Sequence, residues 1–247
     1  MRADQITVLL GHNGAGKSTT VSMLTGLVPP SGGDALIGGL SITSQMEAIR
    51  MTVGLGVCPQ HSVLYDKLSC YEHVWLYGRL KGLRGRECEE RAQELLRQVG
   101  LAHKAHAQAR ALSGGMKRKL SVAISLIGGP RVVFLDEPTT GMDPKARRDR
   151  WGLFRRARFG RVLVLSTHFM DEADVLGDQI AILADGRLQA QGTPLDLKRR
   201  FAPGYNLTFS MAAAGKGGGD GRWGQRRQEA KEEDEEDGEE GKGEKHK

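Results

Sequence analysis

The sequence predicts an α/β fold, a largely parallel sheet with helices on both faces, and three observations carry that reading. Short apolar runs alternate with helical stretches from Ile6 to about Phe209. Several of those runs contain no polar residue to face water, as expected of strands covered on both sides. Apolar residues make up 39% of the 247 residues and aromatics only 5%, so Val, Ile and Leu must build the core.

Each element has its own local signal. Ile6–Leu10 is β-rich and runs directly into a glycine-rich loop, after which Lys17–Leu27 reads as a helix. Val53–Val57 is a second apolar run. Ser69 opens a helix with capping-box spacing to Glu72, hydroxyl and carboxylate satisfying orphan amides reciprocally. Arg86–Val99 is a charged helix. Met116, Leu120, Ala123, Ile124 and Ile127 recur at helical spacing behind Leu112-Ser113-Gly114-Gly115, which places Ser113 as an N-cap. Val132–Leu135 and Val162–Leu165 are uninterrupted strands. Asp143-Pro144 pairs a capping residue with proline at the first helical position. Gln179–Leu183 and Leu188–Gln191 flank Ala184-Asp185-Gly186-Arg187, where Asp-Gly favours a tight hairpin turn. Past Met211 the pattern stops. Gly215–Lys247 is Gly, Glu, Asp, Lys and Arg around a lone Trp223, which predicts a disordered low-complexity tail over 211–247.

Composition excludes several classes. The tail from Gly215 holds 8 Lys/Arg against 11 Asp/Glu, a net of −3, so the formal +6 of the chain leaves +9 on residues 1–214. A moderately basic body suits an anionic ligand, a nucleic acid or an anionic membrane face alike. Cys58, Cys70 and Cys88 form no CxxC pair and are expected as reduced thiols; the seven histidines form no ligand cluster. No run reaches the roughly 18 apolar residues of a membrane span, and Met1-Arg2-Ala3-Asp4 does not open a signal peptide. Lys145–Arg161 carries eight basic residues, expected as a solvated helix face with anionic lipid headgroups as the alternative. No nucleic-acid reader module accompanies it.

The chemistry is concentrated in a few motifs. Gly11-His12-Asn13-Gly14-Ala15-Gly16-Lys17-Ser18 fits G-x-x-x-x-G-K-[ST], followed by Thr19. Its glycines let the backbone amides turn inward around phosphate oxygens, and the next helix adds its positive N-terminal end. Lys17 offers an ammonium to the β- and γ-phosphates, and the Ser18 hydroxyl can ligate Mg²⁺. The strand Val132-Val133-Phe134-Leu135 ends in Asp136-Glu137. Asp136 is placed to hold magnesium through its water shell and Glu137 to polarise an attacking water as general base. Together the two motifs define a nucleoside triphosphatase core. Ser113, Gly114 and Gly115 then offer free amides at a second helix start. A second anion site on one chain suggests service to a nucleotide bound elsewhere.

At this point the sequence resembles the nucleotide-binding domain of ABC transporters, over about residues 3–210. In that family the LSGGQ signature, here Leu112-Ser113-Gly114-Gly115-Met116, caps the ATP held by an opposing domain in a head-to-tail dimer. The resemblance implies a P-loop NTPase with a RecA-like parallel-sheet core over residues 1–210 and an inserted ABC α-helical subdomain near residues 62–128. Gln60, after Val57-Cys58-Pro59, resembles the Q-loop glutamine that contacts magnesium and couples to membrane domains. Gly141-Met142-Asp143 resembles the D-loop, with Asp143 communicating across the dimer. His168, in Ser166-Thr167-His168, resembles the switch histidine that contacts the γ-phosphate. The glycine loop, the Met-containing signature and Ser166 to Asp174 look most like subfamily A, the large eukaryotic lipid transporters, and most like the first of their two nucleotide-binding domains.

The resemblance implies ATP and Mg²⁺ as cofactors, a second nucleotide-binding domain and transmembrane domains as partners, and lipid as cargo at the cytosolic face of a membrane. A stand-alone ATPase subunit of a bacterial-type exporter, or an ATP-binding fragment without turnover, remain alternatives at this stage. The family's upstream strands and adenine-stacking aromatic are not within the chain. By analogy with base–aromatic stacking, that predicts nucleotide binding weaker by about 1–3 kcal/mol.

Overall fold

The computed structural model describes residues 1–201, apart from Asp143 and the side chains of Pro144 and Asp149. The Asp143 expectations and the 211–247 tail lie outside the described residues. In chain order the elements are β1 (Gln5–Leu10), α1 (Lys17–Leu24), β2 (Leu36–Ile37), β3 (Leu40–Ser41), α2 (Met46–Ala48), β4 (Leu55–Cys58), α3 (Cys70–Leu80) and α4 (Gly85–Gln98). They continue with α5 (Gly114–Leu126), β5 (Val132–Asp136), α6 (Pro144–Ala157), β6 (Val162–Thr167), α7 (Met170–Leu176), β7 (Gln179–Ala184), β8 (Arg187–Gly192) and α8 (Pro194–Phe201).

Six strands form one sheet in the order β4-β5-β6-β1-β7-β8, parallel except for the antiparallel β7–β8 edge. β1 lies between β6 and β7, with Val8 opposite Leu165 on one side and Ile180 on the other. Strand alternation divides the apolar residues between two cores. Val133, Leu135, Leu163 and Leu165 join α3 to α5 on one face, and Val132, Phe134 and Val164 join α1 on the other. That double burial is why these strands carry no polar alternation.

β4 and β5 are paired neighbours, yet the chain between them contains α3, α4 and α5, which pack on one another. The capping box of α3 is complete: Glu72 N–H donates to Ser69 Oγ and Ser69 N–H to Glu72 Oε2, at 3.2 and 2.7 Å. The Asp185-Gly186 turn joins β7 to β8 with φ of 50° and 70°, the two positive values that a type I′ hairpin requires.

Several sequence expectations are corrected. α1 stops at Leu24, because Thr25 Oγ1 donates back to Val21 O at 2.9 Å and Gly26 turns the chain with φ 70°. The edge strand starts at Leu55; Val53 instead closes a π-helical turn from Ile49, and Gly54 redirects the backbone. The β2–β3 hairpin and the helical turns over 46–53 had no sequence signal.

The basic segment is not a uniformly solvated face. Arg147 and Arg150 are buried. Arg147 pairs with Asp171 at 3.1 Å and lies 3.9 Å from the Phe169 ring centre. Arg150 Nη2 donates to Gly115 O at 3.3 Å, Arg155 to Val175 O at 2.9 Å, and Arg158 pairs with Asp178 at 3.1 Å. Much of this charge therefore fastens α6 to its neighbours. All three cysteines are buried and unpaired, and burial pushes the Cys58 thiol up to about 11.

Candidate nucleotide-binding site

The glycine loop joins the C-terminal end of β1 to the start of α1, and the β7–β8 hairpin packs against it. A Cβ on Gly11 would lie 2.5 Å from Leu183 O and 2.9 Å from the Ala15 Cβ, so nothing larger than hydrogen fits. Gly186 N–H donates to Ala15 O at 3.2 Å. Gly16 takes φ 97° and a Cβ there would meet Gly186 Cα at 3.3 Å. No side chain caps α1 and no acid sits in its first turn, so its leading amides and positive end are left for an anion.

Asn13, Gly14, Gly16, Lys17, Ser18, Thr19, Gln60 and Glu137 line one pocket of about 230 Å³. Lys17 is 4% exposed. Its Nζ donates to Gly11 O at 2.8 Å and His12 O at 3.1 Å, and lies 3.2 Å from Glu137 Oε1. Glu137 gathers the rest of the site. Its Oε2 accepts from Gln60 Nε2 at 3.4 Å and Thr140 Oγ1 at 2.9 Å, and His168 Nδ1 is 3.4 Å from Oε1. Burial pushes the Glu137 carboxyl up, but Thr140, Lys17 and His168 outweigh it and hold the group below its ordinary value. Those contacts favour its anionic form.

The Glu137 backbone has φ 46°, rare for a residue with a side chain and of order 1–3 kcal/mol in cost. Its N–H donates to Ser166 O at 3.1 Å and Ser166 Oγ at 3.0 Å, which holds this conformation from β6. The same Ser166 hydroxyl donates to Asp136 Oδ1. Asp136 is buried behind the pocket. Ser113, Gly114 and Gly115 do not line this pocket. They start α5 on their own, with Ser113 and Gly114 exposed and Ser113 Oγ accepting from Met116 N–H at 3.3 Å.

Sequence reasoning missed Arg118, Thr140 and the Ser166 hydroxyl. Arg118 sits in the run Lys117-Arg118-Lys119, which reads as solvated surface, but it is 5% exposed. Thr140 lies three residues past Glu137, a spacing that could have flagged a local hydrogen bond. Ser166 and Arg118 depend on contacts from distant strands.

A β-strand, a phosphate-shaped glycine loop, a helix start and an acid-tipped neighbouring strand define a P-loop nucleotide-binding fold. The ABC transporter family model matches residues 1–140. Human phospholipid-transporting ATPase ABCA7 is 56% identical over 207 residues, covering 84% of this chain and 10% of that protein. Human phospholipid-transporting ATPase ABCA3 is 53% identical over 205 residues, 83% of this chain and 12% of that protein. An ATP-binding subunit of an ABC transporter superposes with TM-score 0.71 at 32% identity, over 81% of this chain and 82% of that one. The ATP-binding cassette MJ0796, in a dimeric post-hydrolysis state bound to ADP and Pi, gives TM-score 0.71 at 25% identity, over 78% and 87%. The chain belongs to the ABC transporter family. It spans about a tenth of the length of the curated relatives it matches.

Proposed function

We propose that this chain is an ATP-binding and ATP-hydrolysing motor domain of an ABC transporter that moves lipids across a membrane. The observation that carries the proposal is the meeting of Lys17, Gln60, His168 and Glu137 beside the glycine loop at the start of α1. The names of the human relatives, phospholipid-transporting ATPases at 53% and 56% identity, support lipid as cargo. No helix among the described residues is long and apolar enough to cross a membrane. The proposed placement is at the cytosolic face, joined to membrane-spanning partners. Residues 1–210 would form this domain, with its helical part near 62–128.

In this reading the amides from Gly11 to Thr19, with Asn13, Gly14, Ala15 and Gly16 between, wrap the phosphates, and Lys17 neutralises their charge. Ser18, Gln60 and Asp136 supply hard oxygen donors suited to Mg²⁺. No group of three His, Cys, Asp or Glu that could hold a metal occurs among the described residues. A cation at this place would be held by a few protein oxygens together with substrate phosphates. When bound, Mg²⁺ draws charge from the β- and γ-oxygens.

Glu137 accepts the proton of a water whose oxygen bonds to the γ-phosphorus as the bond to ADP breaks, releasing ADP and phosphate. His168 orients Glu137 and the γ-phosphate. Ser113, Gly114 and Gly115 serve the nucleotide of a second, head-to-tail domain, with Asp143 between the two. The dimeric state of MJ0796 supports that arrangement.

The test replaces the matching segment of human ABCA7 with this chain. The chimera reconstituted in vesicles should move phospholipid only with ATP, and Glu137→Gln should abolish movement. A chimera whose grafted chain, purified by itself, binds no ATP would overturn the motor reading. One that hydrolyses ATP without moving phospholipid would overturn the cargo.

A further inference from the structure

Arg118 lies in the second turn of α5, the helix that begins at Ser113, and its side chain runs inward. Nη1 donates to the carbonyls of Pro59 and Gln60, the latter at 3.0 Å. Nη2 donates to the carbonyls of Asp136 and Glu137, the latter at 2.9 Å. All four terminal N–H groups are thereby used. Two go to the segment that carries Gln60 and two to the segment that carries the acids. These segments leave adjacent strands, β4 and β5, and Arg118 grips the backbone of both through one side chain.

The grip falls on a backbone that is strained and held from several sides. Glu137 has positive φ; Ser166 holds its N–H, Thr140 N–H donates to its carbonyl at 3.2 Å, and Arg118 adds a second donor to that carbonyl. A guanidinium does this through a rigid planar fork; a lysine ammonium is a point donor on a flexible stem and cannot span four acceptors in fixed directions. Buried charge is acceptable here because four carbonyl dipoles surround it.

We propose that Arg118 is a positioning residue for hydrolysis. It fixes the Glu137 and Gln60 backbones relative to each other and ties both to the helix that starts at Ser113. The proposal rests on the reading of Glu137 as the base. Arg118 lies outside the pocket that would take nucleotide, so its loss should spare binding and slow turnover.

The experiment compares the full chain with R118Q, R118K, E137Q and the double variant R118Q/E137Q. Readouts are thermal unfolding, ATP dissociation constant and turnover. R118Q should cut turnover about tenfold to hundredfold, the scale of a displaced reacting group. ATP affinity should stay within about twofold. R118K should recover only part of the loss. The slow residual turnover of E137Q, followed in single-turnover assays, should fall almost no further in R118Q/E137Q, because both changes act through one group.

A multiplicative loss in the double variant would mean that Arg118 acts independently of Glu137 and would overturn the proposal. So would native turnover in a folded R118Q or R118K. Native turnover in E137Q is a different failure, since it would overturn the base assignment itself. R118K keeps charge and length, so it provides the test if R118Q does not fold.

Discussion

Lys17 Nζ and Glu137 Oε1 lie 3.2 Å apart, with side chains only 4% and 5% exposed. The group that would hold phosphate and the group that would activate water are thus each other's counter-ion. An arriving triphosphate competes for Lys17 and leaves Glu137 free for water. E137Q should therefore bind ATP at least as tightly as the native chain while losing turnover, measured by equilibrium titration and phosphate release. Weaker ATP binding in E137Q would contradict the competition.

The same pair predicts a pH dependence. The Glu137 carboxyl is held below its ordinary value of 4.5 because hydrogen bonds from Thr140 and Lys17 outweigh burial. A group depressed on folding contributes stability that is complete above the ordinary value and disappears as pH falls through the folded one. Urea unfolding at several acidic pH values should show this increment being lost from the native chain as pH falls below 4.5, with no matching loss in E137Q. Parallel curves for the two proteins would refute it.

Glu172 should behave in the opposite sense. It is fully buried, accepts from Thr139 Oγ1 at 3.0 Å, and burial raises its carboxyl above 4.5. A raised acid favours the folded state at low pH, and that advantage falls away as pH climbs from the ordinary value through the folded one. Glu172→Gln retains an acceptor for Thr139 without a buried charge. Its unfolding midpoint near neutrality should equal or exceed the native one; a drop of several degrees would count against this account.

Gly11→Ala tests the fit between loop and hairpin. The added methyl would meet the Leu183 carbonyl at 2.5 Å, and a backbone oxygen in a paired strand cannot swing aside. Overpacking of this kind costs about 1–3 kcal/mol. Both the melting temperature and ATP affinity should fall. If only one falls, the loop and the hairpin are not coupled.

Ser113→Ala removes the N-cap of α5, a change of about 0.5–2 kcal/mol in stability. Under the dimeric reading it should also depress turnover of the partner's nucleotide. In mixtures with E137Q chains, the site that keeps Glu137 should hydrolyse only when the opposite chain retains Ser113. Equal rates from both kinds of mixture would place Ser113 outside the reaction.

Much of this architecture is legible in local sequence because its signals are local. The Asp185-Gly186 turn, the Ser69–Glu72 box and the apolar runs of β5 and β6 each act over a few residues. The glycine loop and the Asp136-Glu137 strand end are likewise local patterns, whereas Gln60 and His168 stand out only through resemblance to the ABC family. What escaped depends on distance or shortness. β2 and β3 have two residues each, too few for a period of two to register. Arg118 looks solvated until Pro59, Gln60, Asp136 and Glu137 are brought to it. The Arg147 stack on Phe169 and its pair with Asp171 hide in the same way inside a run that reads as surface charge.

The central place of β1 also sets an order of assembly. It leaves the ribosome well before its two sheet neighbours, β6 and β7. Gln5 pairs with Val162, so at about 5–20 residues per second roughly 150 further residues take on the order of 10–30 s to appear. Throughout that interval the backbone edges of β1 lack their paired strands, although Leu9 can already pack on Val21, Ile37 and Ile49. A ribosome that stalls before Val162 leaves both hydrogen-bonding edges of that strand unpaired, an invitation to pair with another chain.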